Sequence, residues 1–533
     1  MKRYHFLLIF ILLVNIVGCK NALTSKKNIF RDTTITKATS FNTLFFDSIQ
    51  VTNFLLIHPE LSAYENQFND FYKARNYQYA WFDKDGITDQ AAHFLNLLNN
   101  DSNELQDSSI LNPLLIRLYN TLQNDTLHKT PQDSIIKTEL LFTGQFFLYA
   151  EKVYNGGDIN TADLGWFIPR KKIDLTNLLD ETLKLKKTNI NLLAEANSPY
   201  KQLQTQLSFY YQLAKNEAID SIAFQTKPLK KGMSVPVIIK IKNRLATLGD
   251  LPINDSLMHY DSLLYIAVIQ FQKRMGLSVD GAIGNKMIEE LNVPAAKRIQ
   301  QLLINMERLR WLPIIKDSSY ILVNIPEYKL HVIDSGRNLF DLNVIVGKAA
   351  NGTVIFNSQL KYIVFSPYWN VPASIVEKEI LPAITKNPKY LEKNNMEITG
   401  KSKELPTIRQ NPGPLNSLGL VKFLFPNNYD IYLHDTPNRE LFTQSSRGLS
   451  HGCIRISNPT KMATYLLRND STWNAATIDS AMHQTKEKWV TLKKTVPVFI
   501  VYFTAWIDRN GLLNFRKDIY GHDAKMSLKL FKQ

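Results

Sequence analysis

The sequence predicts an α+β multidomain protein: a helical N-terminal domain, a small three-helix domain, and a β-rich, β-sandwich-like C-terminal domain with an inserted subdomain. Three observations lead there. The 533 residues exceed one core and suggest three or four units at roughly 150 residues each. Apolar residues recur at helical spacing up to about residue 311 and at a spacing of two beyond it. Hydrophobic residues make up 44% and charged residues 21%, a globular balance that excludes a mainly disordered chain. No internal apolar run approaches the ~20 residues that span a bilayer, which excludes a polytopic membrane protein. Lys and Arg number 63 against 48 Asp and Glu, a net +15 that suits an anionic partner without choosing among nucleic acid, lipid and an acidic polymer.

The elements follow in chain order. Met1-Lys2-Arg3, the apolar run Phe6 to Val17 and Ile16-Val17-Gly18-Cys19 resemble a bacterial lipoprotein signal over residues 1–18. The resemblance implies a lipidated Cys19 whose acyl chains tether a soluble body to a membrane, and a cell-envelope, periplasm-facing location at the outer membrane. An uncleaved anchor or a plain secretory signal is the alternative. Residues 19–43 are polar and aperiodic, a tether. Residues 44–227 read as a helical scaffold, with Phe68, Phe71 and Tyr72, then Phe94, Leu95, Leu97 and Leu98 at helical spacing. Trp81-Phe82 and Trp166-Phe167 within it read as core and loop aromatics rather than a groove.

Residues 228–292 carry the stripes Val237, Ile241, Leu245, Leu248 and Ile266, Ile269, Phe271, then a glycine-punctuated turn before a third helix. Phe271-Gln272, Gly276-Leu277, Asp280-Gly281 and Ile283-Gly284 resemble the small three-helix peptidoglycan-binding domain. A linking helix is expected over 295–317, with Ile299, Leu302, Leu303, Met306 and Leu309 on one face. The β-rich domain then runs over 318–522, its strands including 320–325, 329–333, 342–346, 361–365, 421–425, 431–433 and 498–506. Between about 372 and 410 an interrupted helical pattern suggests a capping insert, placed where it could close as a lid.

The chemistry concentrates late in this domain. Tyr432-Leu433-His434-Asp435 ends a strand, and Ser450-His451-Gly452-Cys453-Ile454-Arg455 follows a polar loop. A thiol that attacks an acyl carbon needs a base or cation to lower its pKa, backbone donors for the oxyanion, and exposure. His434 and His451 are candidate bases, Gly452 permits close backbone approach, and Arg455 adds fixed charge. With Cys19 lipidated, Cys453 is the only remaining thiol and has no disulfide partner in the chain. A buried structural cysteine fits poorly beside Gly, two His and Arg. Zinc also fits poorly, because neither HExxH nor CxxC is present and His451-x-Cys453 is not a usual ligand spacing. Papain-like enzymes place Cys before His, and sortases need a Thr-Leu-x-Thr pattern that is missing here. No cofactor motif is present and none is expected.

His434, an interval of about fifteen residues, Ser450-His451-Gly452-Cys453 and Arg455 resemble the L,D-transpeptidase (YkuD-type) signature with nothing missing. Asn305-Met306-Glu307-Arg308, Pro412 through Gly419 and Asp518-Ile519-Tyr520-Gly521 resemble the flanking signatures of that family's large multidomain branch. The resemblance implies a Cys453 nucleophile and a His434 base. It implies oxyanion or supporting roles for Gly452, His451, Ser450 and Arg455, with Tyr432, Trp369 and Asn416 lining the substrate cleft. The implied partners are peptidoglycan stem peptides, without nucleic acid, and a carbapenem as covalent inhibitor. The implied reaction is 3→3 cross-linking through a thioester. Its alternatives are an L,D-carboxypeptidase, a protein-to-wall attachment enzyme, or a non-catalytic lipid-anchored wall-binding protein.

Overall fold

The computed structural model describes residues 44–105, 107–123, 131–157, 159–170, 172–184, 198–216, 221–252, 256–313, 318–402 and 405–531. The signal segment 1–18, Cys19, the tether 19–43 and the tail of the linking helix at 314–317 lie outside the described residues. The chain divides into two compact units, one of residues 1–93, 112–147 and 175–184, the other of the remainder.

The first unit is helical, as the spacing predicts. Phe68, Phe71, Tyr72, Trp81 and Phe142 are buried, and the Trp81 and Phe142 rings stack at 5.3 Å. Trp81 is thus a core residue. Glu139 is fully buried among them, where a carboxylate is costly unless bonded. It accepts from the backbone N–H of Ala80 at 2.7 Å and Trp81 at 2.9 Å, and from the Tyr72 hydroxyl at 2.8 Å. Burial still pushes its carboxyl up to about 7.

In the second unit three helices, Val237–Thr247, Ser262–Arg274 and Asn285–Leu291, form the small domain. Gln272 explains its motif. Its amide donates to Asp280 Oδ1 and to the Ala282 carbonyl, both at 2.9 Å, and accepts the Gly281 N–H at 2.9 Å. That clamp holds the turn in which Gly281 takes φ +68°. The expected second stripe is corrected: Ile266 is 63% exposed, and Leu264, Ala267, Val268 and Phe271 form the buried face. The linking helix, Ala295–Trp311, is also more enclosed than a one-sided stripe, since Ile304 through Arg308 are all buried. Its polar members are paired. Asn305 Nδ2 donates to Thr504 Oγ1 at 2.8 Å, and Arg308 Nη1 meets Asp523 Oδ1 at 2.6 Å.

The β-rich domain has nine strands in its main sheet: β1 Tyr320–Asn324, β2 Lys329–Asp334, β3 Arg337–Gly347, β4 Asn357–Phe365, β5 Val421–Leu424, β6 Leu433–His434, β7 Gly448–Ser450, β8 Ile454–Ile456 and β9 Lys488–Val501. Their spatial order is β7-β3-β8-β6-β5-β4-β9-β1-β2, and β2 also pairs with β3. The ladder therefore returns on itself. The expected single strand 498–506 is broken. β9 ends at Val501, and Ala505–Ile507 pairs separately with Leu513–Phe515. Side chains replace the ladder at the break: Asn324 Oδ1 accepts the Phe503 N–H and Asn305 Oδ1 the Thr504 N–H, each at 2.9 Å.

The insert contains more strand than its interrupted helical pattern suggests. Trp369–Asn370, Leu405–Gln410 and Met396–Ser402 form a three-stranded sheet under a helical run from Ala373 to Lys386. Val371, Val376, Ile380 and Ile408 give it a small core of its own.

His331 on β2 is held between two carboxylates, Nδ1 to Asp341 Oδ1 at 2.8 Å and Nε2 to Glu327 Oε2 at 3.0 Å. Burial pulls its pKa down, but both acids outweigh this and hold it at about 9. The folded value lies above the unfolded ~6.5. The stabilisation is therefore fully present below pH ~6.5 and is lost as pH rises through about 9. The urea midpoint should fall across that window, and in His331→Gln this part of the fall should vanish.

Candidate active site

Strand periodicity assembles the site. β6 and β8 are parallel, with Leu433 opposite Ile454 and His434 opposite Arg455, and the Ile454 N–H reaches the Tyr432 carbonyl at 3.1 Å. Successive side chains alternate across a sheet. Leu433, Ile454 and Ile456 therefore enter the main core, each fully buried. Tyr432, His434, Cys453 and Arg455 share the opposite face. The chain thus brings together four of the residues singled out in its sequence.

The Ser450–Cys453 turn is held from within. Ser450 Oγ donates to the Cys453 carbonyl at 2.6 Å and accepts the Gly452 N–H at 3.1 Å. Gly452 has φ +123°, a conformation a side chain would strain. Its N–H is engaged by Ser450, which corrects its expected part in the oxyanion hole. Among the described residues, the N–H of Cys453 has no hydrogen-bond acceptor and remains available. The Gly452 carbonyl accepts from Thr353 Oγ1 at 2.8 Å, and that oxygen accepts the Gly347 N–H at 2.9 Å. The Tyr520 hydroxyl completes this anchor, accepting the Thr353 N–H at 3.2 Å and donating to the Gly347 carbonyl.

Cys453 is half-buried, and its Sγ contacts the Asp430 carbonyl at 3.5 Å. Burial pushes the thiol up, only partly opposed by Tyr432 and by the charge of Arg455. Arg455 acts downward on the thiol, as expected of a cation, but burial outweighs it. His434 is buried, and its Nδ1 faces the Asp435 carbonyl at 2.5 Å. A carbonyl only accepts, so Nδ1 carries the proton and Nε2 keeps a lone pair. Burial, then the cations Arg455 and Lys422, push this imidazole down to about 3. Thiol and imidazole are consequently both neutral at pH 7. Among the described residues no hydrogen bond joins Sγ to either imidazole; His434 is one residue pair along the same face.

The other expected residues divide. His451 is exposed and pairs through Nε2 with Glu379 Oε1 at 3.0 Å, a contact between the Ser450–Cys453 turn and the insert. Arg455 leaves its buried Nε without a partner. Trp369 belongs to the insert's sheet and packs on its core. Asn416 is 1% exposed. Its amide donates to the carbonyls of Pro367 and Asn411 at 3.0 Å, and its Oδ1 accepts the Leu418 N–H at 2.8 Å. Those bonds close the 412–419 loop and leave no free polar group for a ligand. At the loop's end, a Cβ on Gly419 would stand 2.4 Å from the Asp435 carboxylate. Asp435 itself accepts the Leu420 N–H at 2.9 Å and Arg439 Nη2 at 2.6 Å. Thr353 and Glu379 were not singled out by the sequence, and Asp435 only as the end of the strand that carries His434. Tyr520 was, within its flanking signature.

Comparison with known families matches residues 318–491 to the L,D-transpeptidase catalytic domain (YkuD), residues 66–207 to a scaffold domain, and residues 234–291 to a "Putative peptidoglycan binding domain". A Haemophilus influenzae protein named "Putative L,D-transpeptidase" is 32% identical over 255 residues, 44% of this chain and 51% of that protein. The chain thus spans about half the length of the curated relative it matches. Among solved structures, an L,D-transpeptidase from Xylanimonas cellulosilytica is 15% identical, with 52% of this chain and 100% of that one covered at a TM-score of 0.19. One from Stackebrandtia nassauensis is 13% identical, with coverage of 53% and 96% and a TM-score of 0.22. The matched segments thus follow one another along the chain in the order scaffold domain, peptidoglycan-binding domain and L,D-transpeptidase catalytic domain.

Proposed function

We propose that this protein is a peptidoglycan L,D-transpeptidase that forms 3→3 cross-links through a thioester on Cys453. The observation that carries the reading is the shared face of β6 and β8, which sets a thiol, a neutral imidazole and a guanidinium with an unpartnered Nε side by side. The Cys453 thiol gives its proton to His434 Nε2. The sulfur attacks the carbonyl at the L-centre of the diamino acid in a donor tetrapeptide. The free Cys453 N–H steadies the developing oxyanion, and Arg455 faces the charge on sulfur. The C–N bond breaks, and the terminal D-Ala leaves as an amine carrying the proton from His434. A side-chain amine of a second stem then attacks the thioester, loses a proton to His434 and restores the thiol. In the same reading Cys19 is lipidated and anchors the chain in the cell envelope, supported by the basic and apolar run before it. Among the described residues no helix is long and apolar enough to cross a membrane.

Intact-mass measurement with a carbapenem should show a covalent adduct on the full chain and none on Cys453→Ala. His434→Ala should slow acylation by about 10²–10⁴. Muropeptide analysis fixes the acceptor: 3→3 dimers support cross-linking, whereas tripeptides alone would assign a carboxypeptidase. Because the thiol titrates upward and His434 is neutral down to about pH 3, acylation should rise with pH through the alkaline range and show no acid limb near pH 6. Thr353→Val should cost about 1–2 kcal/mol of stability and lower the acylation rate while the thiol still titrates with a small disulfide reagent. Glu379→Gln loosens the insert's contact with His451 and should raise KM several-fold with kcat little changed; an unaltered KM would remove the lid role.

A further inference from the structure

The cross-strand row that holds His434 continues past it. Arg455 on β8 is opposite His434 on β6, His434 opposite Lys422 on β5, Lys422 opposite Val364 on β4, and Val364 opposite Trp489 on β9. Paired residues point to one face, so Trp489 lies on the face that carries Cys453. Its indole is 54% exposed, which is unusual for the largest apolar side chain. It is also held in place. Nε1–H donates to Glu487 Oε1 at 3.0 Å, and Glu487 Oε2 accepts the Tyr368 N–H at 3.4 Å. The Tyr362 ring meets it edge-on at 6.0 Å, and Lys422 Nζ is 5.5 Å from its centroid.

We propose that Trp489, with Tyr362 and Lys422, forms a saccharide subsite that stacks an N-acetylhexosamine of the donor glycan strand while its stem peptide runs along the row to Cys453. This rests on the transpeptidase reading above. A pyranose presents a face of polarised C–H bonds to the negative face of an indole, and a ring already fixed loses little entropy on contact. Four strand steps from β9 to β8, which follows Cys453, cover roughly 19 Å at ~4.8 Å each. A three-residue stem reaches at most about 11 Å, and the lactyl ether together with the width of a pyranose covers the remainder. Lys422, midway, offers a cation where a free carboxylate of the stem passes.

The test uses the full chain as Cys453→Ala, which keeps ligand unreacted, titrated calorimetrically with the disaccharide-tetrapeptide and with the bare tetrapeptide. The sugar-bearing ligand should bind about five- to tenfold tighter. Adding Trp489→Ala should erase that margin and leave bare-peptide affinity unchanged, and Trp489→Phe should keep part of it. Equal affinity for the two ligands, or a margin that survives Trp489→Ala, overturns the subsite and leaves the peptide site standing. Binding of neither ligand overturns both readings.

Discussion

The register of one short parallel strand pair governs this site. β6 and β8 contribute only two and three residues, yet Leu433, Ile454 and Ile456 are fully buried on their inner face. Burial of each side chain contributes about 1.5–3 kcal/mol, and a slip of one residue would turn all three outward while driving His434 and Arg455 into the core. The hydrophobic face therefore fixes the reactive face. No hydrogen bond between Cys453 and His434 is required to hold the pair on one side.

What the strands fix laterally, buried polar contacts fix along the turn. Thr353 and Tyr520 join the Gly452 carbonyl to the end of β3. Tyr520 is placed in turn by Tyr502, whose hydroxyl accepts the Tyr520 N–H at 2.9 Å and donates to Asp518 Oδ1 at 2.7 Å. Asp518 accepts the N–H groups of His522 and Asp523 at 2.9 and 2.8 Å, opening the last helix. Asp523 then meets Arg308 and Thr504, which returns to Asn305 of the linking helix. A turn at residue 452 is thus connected through satisfied hydrogen bonds to residues near 305 and 520. Each group in that chain is costly to leave unpaired, which is why so many polar residues can be enclosed there.

This arrangement also decides what the sequence could disclose. Period-two runs located most strands, and Gly281, Gly419 and Gly452 marked turns that only the structure explains, by positive φ at each and by the Asp435 carboxylate beside Gly419. The Ser450-His451-Gly452-Cys453 string was legible because its residue types are rare and ordered. Asn416 resembled a cleft residue because its neighbours form a signature, yet that signature serves loop closure. Thr353 gave no signal, since an isolated threonine carries no pattern. The insert's hairpin was hidden by Pro, Lys and Asn in strands that face a small core or solvent, where alternation is weak. The break after Val501 was hidden for the opposite reason: Tyr502 and Phe503 continue a strong strand composition, and two asparagines from distant elements interrupt it.

The electrostatics follow from the same burial. Arg455 and Lys422 flank His434 across neighbouring strands, so an imidazolium there would face two cations with little water to screen them. The thiolate is disfavoured by burial as well, although Arg455 offsets part of that. The resting pair is therefore neutral, the cheaper state to enclose. In the proposed reaction the cations gain their counter-charge only when substrate arrives, as a peptide carboxylate or as the sulfur's own developing charge during attack. Positive potential around an uncharged nucleophile thus favours the charge distribution of the reaction over that of the empty site. Differential stabilisation of this kind is what the proposed transfer of an acyl group between two stems requires.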